Sequence, residues 1–211
     1  MRRIIIKASD VAAVIGQNKF KPRDEIFNEL WKKYSPENFN LKTKNDEAKE
    51  ALAKSYEAQK VVDLATAHPA KNSTDAEATF RRASILISND TNLTPEDKVK
   101  VTEHLRSKVY TVHGTRSENR TADETGLKLV KDNNFYNYEI CTIGDNQYVV
   151  TGKIDRIEEH PDGSKTLVEI KNRTKGLFRK VYPSEMIQIQ TYLHMLDLEN
   201  AKLIEQFNSQ I

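Results

Sequence analysis

Hydrophobic positions along this chain change their spacing twice, and each change marks a different kind of element. Ile4-Ile5-Ile6 is a short apolar lead into a helix that Ser9 or Asp10 caps and Gly16 ends. A cap oxygen accepts from free backbone N–H groups, and glycine tolerates a left-handed exit. Behind Pro22, which suits a first helical turn, Ile26, Phe27, Leu30, Trp31 and Tyr34 recur at helical spacing and predict an amphipathic helix with one stripe in the core. From 35 to 109 aromatics thin out and Ala, Lys, Glu and Asn dominate, so this stretch is expected to be all-helical. Two helix starts stand out within it. Thr74-x-x-Glu77 has capping-box spacing, and Thr94-Pro95-Glu96-Asp97 joins a cap hydroxyl, a first-turn proline and acidic residues that favour the helix dipole.

Beyond His113-Gly114, steps of three and four through Glu118, Ala122, Gly126 and Leu129 predict a helix over 115–131. The period then shortens. Residues 136–143 and 147–158, rich in Tyr, Val and Ile, predict strands joined by a Gly144-Asp145-Asn146 turn, and 166–171 predicts a third. Pro183-Ser184 opens a last helix through Leu198, on which Gln188 and Tyr192 are i, i+4 neighbours. The expected class is α+β, with a central mixed β-sheet flanked by helices.

Charge narrows the partners only a little. With 33 Lys+Arg against 31 Asp+Glu the net charge is +2, so binding to nucleic acid would require positive charge gathered locally. The cluster Lys171, Arg173, Lys175, Arg179 and Lys180 is one candidate, and Arg2 and Arg3 are another. The single cysteine, Cys141, excludes an intrachain disulfide and a Cys-rich zinc site, and is expected to be a small core residue. The five histidines show no paired metal spacing. No apolar run approaches the roughly 18 residues that span a bilayer. The basic opening at Arg2-Arg3 resembles a signal peptide, but Lys7, Ser9 and Asp10 cut its apolar part short, so the expected location is intracellular, in bacterial cytoplasm or in the cytoplasm or nucleus of a host cell.

The chemistry concentrates around a hairpin. Pro161-Asp162-Gly163 suits a three-residue loop with Gly163 at positive φ, which sets His160 opposite Ser164. Continued outward, that register places Asp155 opposite Glu169, with Lys171 on the same face opposite Lys153, while Ile154, Val168 and Ile170 point the other way. A two-residue loop would split the carboxylates between faces. Two ionised carboxylates facing each other repel, so they call for a shared proton or a cation. A divalent metal is the simpler answer. Oxygen-only ligation favours Mg²⁺ or Mn²⁺ over Zn²⁺, and Glu118 could bind the same metal or a second one.

Asp155 followed by Glu169-x-Lys171 resembles the core of the PD-(D/E)XK nuclease superfamily, and the surrounding pattern resembles its lambda-exonuclease-like branch of phage and viral recombination nucleases. The run from Ala8 to Gly16, with Trp31 closing the next helix, is similar to the N-terminal signature of that branch. Gly114-Thr115-Arg116-Ser117-Glu118 is similar to its Gly-x-x-x-Glu motif, and Gln188-Ile189-Gln190-Thr191-Tyr192 to its Gln-x-x-x-Tyr motif. The resemblance covers roughly 1–34 and 110–198, with Ile154 where the family nominally has proline, and leaves 35–109 as a helical insertion in a single domain. It implies a restriction-endonuclease-like core and Mg²⁺-dependent DNA hydrolysis, with Mn²⁺ able to substitute, often exonucleolytic from a 5′ end. Glu118, Asp155, Glu169 and Ile170 would hold the metal, and Lys171, Gln188 and Tyr192 would complete the catalytic group. Ser9 would contact a terminal phosphate, with Arg2, Arg3, Arg116, Arg173 and Lys175 as further DNA contacts. The implied partners are linear duplex DNA with ends, a single-strand annealing protein and further copies of the chain in a homo-oligomer. The rival readings are a DNA-end-binding or scaffold protein that keeps the fold without turnover, and an adaptor built on the helical insertion.

Overall fold

The computed structural model describes residues 1–68, 70–208 and 210–211. They form two compact units, one of Met1–Leu41, Thr125–Ile170 and Phe178–Ile204, the other of Lys42–Glu124, Lys171–Leu177 and Glu205–Ile211.

In the first unit the isoleucine lead is a strand, β1 (Arg2–Lys7), rather than an extension into a helix. Three consecutive β-branched residues favour an extended backbone, and β1 pairs in parallel with β4 (Asn146–Gly152), Ile5 opposite Val149. A 3-10 turn over Ala8–Asp10 leads into the four-residue helix α1 (Val11–Val14), whose exit is Gly16 at φ +75°. Neither Ser9 nor Asp10 caps it with a side chain; Asp10 instead takes the Lys21 ammonium at 3.1 Å. Helix α2 (Arg23–Tyr34) follows Pro22, but of its apolar stripe only Ile26 is buried, while Phe27 and Trp31 are about half exposed. Trp31 stands against Phe39, and the Tyr34 hydroxyl accepts from the Ile5 N–H at 2.8 Å, so the helix docks through a narrower edge than its stripe allows.

Past Glu124 come β2 (Leu129–Val130) and β3 (Tyr136–Ile143). A two-residue Gly144-Asp145 turn returns β3 into β4, because Asn146 already pairs with Ile143. Cys141 is exposed, not core: β3 is an edge strand and its register shifts between Glu139 and Cys141. The stretch 147–158 is not one strand. Strand pairing stops after Gly152 and resumes in β5 (Arg156–Glu159), followed by β6 (Lys165–Asn172). Consequently the strands form two sheets, β1-β4-β3 and β2-β5-β6-β7, where β7 is Asn200–Gln206, instead of one central sheet. Helix α7 (Pro183–Leu196) ends at Asp197 in the left-handed region, and its Ile189, Tyr192 and Leu193 share a core with Ala8, Val150, Ile154, Ile157 and Leu167. Each large apolar side chain buried there contributes roughly 1.5–3 kcal/mol. The class is α+β.

The second unit is helical, as expected for 35–109, and continues to Glu124. It contains α3 (Lys44–Leu52), α4 (Tyr56–Ala67), α5 (Ser73–Ser88) and α6 (Pro95–Glu124). Short polar residues start each helix: Thr43 and Asp46 form a reciprocal box, Ser55 accepts from the Ala58 N–H, and Thr94 accepts from the Asp97 N–H. The Thr74-x-x-Glu77 box does not form, because Asn72 caps α5 two residues earlier and Glu77 accepts from the Tyr110 hydroxyl. Helix α6 also runs unbroken through His113-Gly114 for 30 residues. A mid-helix glycine costs only about 1 kcal/mol, less than the burial of Val101, Leu105 and Val109 on the same helix returns. Among the described residues no helix is long and apolar enough to cross a membrane.

Candidate functional site

The hairpin has the three-residue loop. His160 N–H donates to the Ser164 carbonyl at 3.0 Å, Gly163 N–H returns to the His160 carbonyl at 2.9 Å, and Gly163 has φ +83°. Arg156 pairs with Val168, Ile157 with Leu167 and Glu158 with Thr166, the register that leads outward to Asp155 and Glu169. In an antiparallel ladder alternate residues turn both N–H and C=O toward the neighbour. His160 and Ser164 set that phase, so Thr166, Val168 and Ile170 turn theirs toward β5. At Ile170 the ladder has run out, and the Asp155 side chain takes over: its Oδ2 accepts the Ile170 N–H at 2.8 Å. By the same alternation the Ile170 carbonyl faces that edge of β6.

Glu169, only 3% exposed, alternates with Ile170 and so shares its face of β6 with Leu167. Its Oε1 accepts from Gln188 Nε2 at 2.9 Å. One turn further along α7, the Tyr192 hydroxyl is hydrogen-bonded to the Gln188 side chain and donates to the Lys153 carbonyl at 3.0 Å. The i, i+4 pair therefore joins Glu169 to the backbone just before Asp155. Burial pushes the Tyr192 phenol up to about 12, with the Glu169 charge and then the Asp155 charge acting in the same direction. Tyr192 is thus a neutral donor beside two carboxylates.

This arrangement needs a residue without a side chain at Gly152. A Cβ there would stand 2.5 Å from Tyr192 Cε1 and 3.0 Å from Ala8 Cβ. The glycine ends β4, lets the ring reach the Lys153 carbonyl, and is followed by the three residues that leave the ladder. Ile154 departs from its expected face for that reason: outside strand pairing it joins the core of Ile157 and Leu167. Gly152 and the Lys153 carbonyl have roles the sequence reading missed. A glycine interrupting an apolar strand pattern was the available signal.

The remaining expected residues are distributed as follows. Lys171, half-buried, follows Glu169 by two positions on β6 and so has its side of the strand, whereas Lys153 lies in the unpaired segment. Glu118 belongs to the second unit. There it lies on α6 between Gly114, whose carbonyl accepts from Asn172 Nδ2 at 3.0 Å, and Thr121, whose hydroxyl donates to Asn172 Oδ1 at 2.6 Å. Ser9 is exposed and Arg2 holds the Tyr34 carbonyl at 2.6 Å, while Arg3, Arg116 and Lys175 are exposed. The Arg173 guanidinium, largely buried, pairs with Glu205 through Nε at 2.7 Å and Nη2 at 2.5 Å.

Among the described residues no group of three or more His, Cys, Asp and Glu side chains is arranged to hold a metal ion. Of the expected metal-holding residues, Asp155, Glu169 and the Ile170 carbonyl would supply oxygen only. Such ligation suits Mg²⁺, which binds through one or two carboxylates and keeps several waters. No protein-family model and no curated protein matches this chain.

Proposed function

We propose that this protein is a Mg²⁺-dependent deoxyribonuclease that hydrolyses DNA phosphodiesters, acting as an exonuclease from duplex ends in the 5′ to 3′ direction, in phage or viral recombination or genome processing. The supporting observation is the end of the β5–β6 ladder, where Asp155 takes the Ile170 N–H and Glu169 is oriented by Gln188. On this reading the sheet of β5 and β6 with α7 is the restriction-endonuclease-like core. Asp155, Glu169 and the Ile170 carbonyl would hold Mg²⁺, which when bound lowers the pKa of a water and neutralises charge on the phosphate. Glu118 enters as a further ligand on the resemblance alone.

The protein's own side chains have separable tasks. Gln188 fixes the Glu169 carboxylate, and Tyr192 fixes the backbone that carries Asp155. The Lys171 ammonium positions the attacking water and steadies the negative charge that gathers on the phosphorane oxygens. Water gives up a proton to solvent as its oxygen adds to phosphorus, the opposite P–O ester bond breaks, and the leaving oxygen takes up a proton from solvent. Incubation with linear duplex DNA, in Mg²⁺ or in EDTA, tests the proposal. Cleavage by the wild type only with Mg²⁺, and its loss in Glu169→Ala, is expected; no cleavage by the wild type, or equal cleavage by the variant, would remove the enzyme. Retained end binding without cleavage would leave the non-catalytic end-binding protein.

A further inference from the structure

Helix α7 presents a second chemical feature at its other end. Tyr182, just ahead of Pro183, lies edge-on to Phe178 with centroids 5.1 Å apart and to Phe20 at 6.3 Å. Phe20 is 70% exposed and Phe178 39%. Two ammonium groups sit over this cluster: Lys19 Nζ is 4.9 Å from the Tyr182 centroid and 4.8 Å from that of Phe20, and Lys180 Nζ is 4.9 Å from Tyr182. Phe20 and Tyr182 also line a cavity of about 390 Å³ with Gln17, Lys19 and Ser184, a size within the range of small-ligand sites. The nearby carboxylate of Glu185 is turned to the Tyr182 backbone N–H at 3.0 Å.

Exposed rings attract either a cation or a flat apolar partner, and the protein's own lysines decide between these. They already hold positive charge against the rings, so a cationic ligand is repelled. An anion carrying planar rings satisfies both features, because its rings stack while the ammonium groups turn to its charge. Bases inside a duplex hide their faces in the stack, whereas unpaired bases offer them. The geometry points to Phe20, Phe178 and Tyr182, with Lys19 and Lys180, as a stacking platform for single-stranded DNA. About 9 Å of helix axis separates Tyr182 from Gln188, a distance that a short unpaired stretch of strand bridges. The platform therefore specifies an unpaired stretch of strand for the proposed nuclease; in that role it rests on the preceding reading, while the binding itself does not.

The test uses the full chain and the anisotropy of a labelled oligo(dT) of about twelve nucleotides, titrated in EDTA. Phe20→Ala, at a surface position, is expected to weaken binding about tenfold, and an abasic oligomer of the same length to bind the wild type about tenfold less tightly than oligo(dT). Lys19→Ala and Lys180→Ala should each reduce the salt dependence by about one released ion. Unchanged affinity in both Phe20→Ala and Tyr182→Leu would overturn the platform, as would equal binding of the abasic strand. Displacement of oligo(dT) by poly-glutamate as effectively as by unlabelled oligo(dT) would overturn it in favour of an acidic protein partner. Because no metal is present, a null result here is distinct from an absence of Mg²⁺-dependent cleavage.

Discussion

The helical unit and the sheet-bearing unit are stabilised in different ways. In the helical unit, stripes of Ala, Val, Leu and Ile recurring every three or four residues pack together, and each helix starts on its own short polar residue. In the sheet-bearing unit, the functional candidates gather where regular pairing stops, at Lys153–Asp155, and the Asp155 side chain, accepting from the β6 backbone, and the Tyr192 side chain of α7 replace the missing backbone bonds. Regularity holds the helical unit together, whereas in the sheet-bearing unit the candidate residues gather where regularity is interrupted. The two should therefore respond differently to the same kinds of substitution.

The sharpest separation is expected from Asp155→Asn or Glu169→Gln. Either change should lower Mg²⁺-dependent cleavage of linear DNA by roughly 10³-fold, since each removes a carboxylate from the proposed ion, with little change in the denaturation midpoint. Glu118→Gln tests the resemblance separately: an equal loss would add it to the group, and full activity would remove it.

Leu105→Ala should show the reverse. The side chain is fully buried in the helical core, and chemical denaturation should reveal a loss of roughly 2–5 kcal/mol. A smaller but combined effect is expected from Gly152→Ala. The added methyl must displace the Tyr192 ring, at a cost of about 1–3 kcal/mol, and cleavage should fall with it because the Lys153 carbonyl loses its donor. Normal activity in this variant would show that Tyr192 does not position Asp155.

Each unit also holds one phenol raised to about 12, Tyr110 by burial and its bond to Glu77, Tyr192 by burial and the Glu169 charge. The folded state of each keeps its proton more tightly than the unfolded chain, where a tyrosine titrates near 10. That stabilisation is complete below pH 10 and is lost as pH rises toward 12. Tyr110→Phe and Tyr192→Phe should both flatten the alkaline decline in stability, measured by denaturation at fixed pH, but only Tyr192→Phe should also slow cleavage. The mildest change is Thr94→Ala, which removes the cap of α6 and should cost about 1 kcal/mol with activity intact.

The sequence was most legible where interactions are local. The helical character of 35–109, the Thr94 cap and the hairpin register all follow from neighbours within a few positions, and that register leads outward to Asp155 and Glu169. Legibility failed where a distant partner decides. Ile4-Ile5-Ile6 is a strand because β4 is there to receive it, and the isolated run carries no sign of that partner. Trp31 and Phe27 match a core stripe but stay about half exposed. Arg173 belongs to an attractive basic cluster, yet Glu205, far along the chain, takes its guanidinium.

By itself, then, the sequence determined the α+β class, the Thr94 cap, the turn that sets the hairpin and the i, i+4 spacing of Gln188 and Tyr192, because each depends on backbone geometry over a few residues. Only the tertiary structure decided that Gln188 meets Glu169, that Tyr192 reaches the Lys153 carbonyl through the space left by Gly152, and that the strands divide into two sheets. Those outcomes depend on which distant surfaces compete for the same groups, and a buried donor or acceptor takes the partner that packing brings within 3 Å.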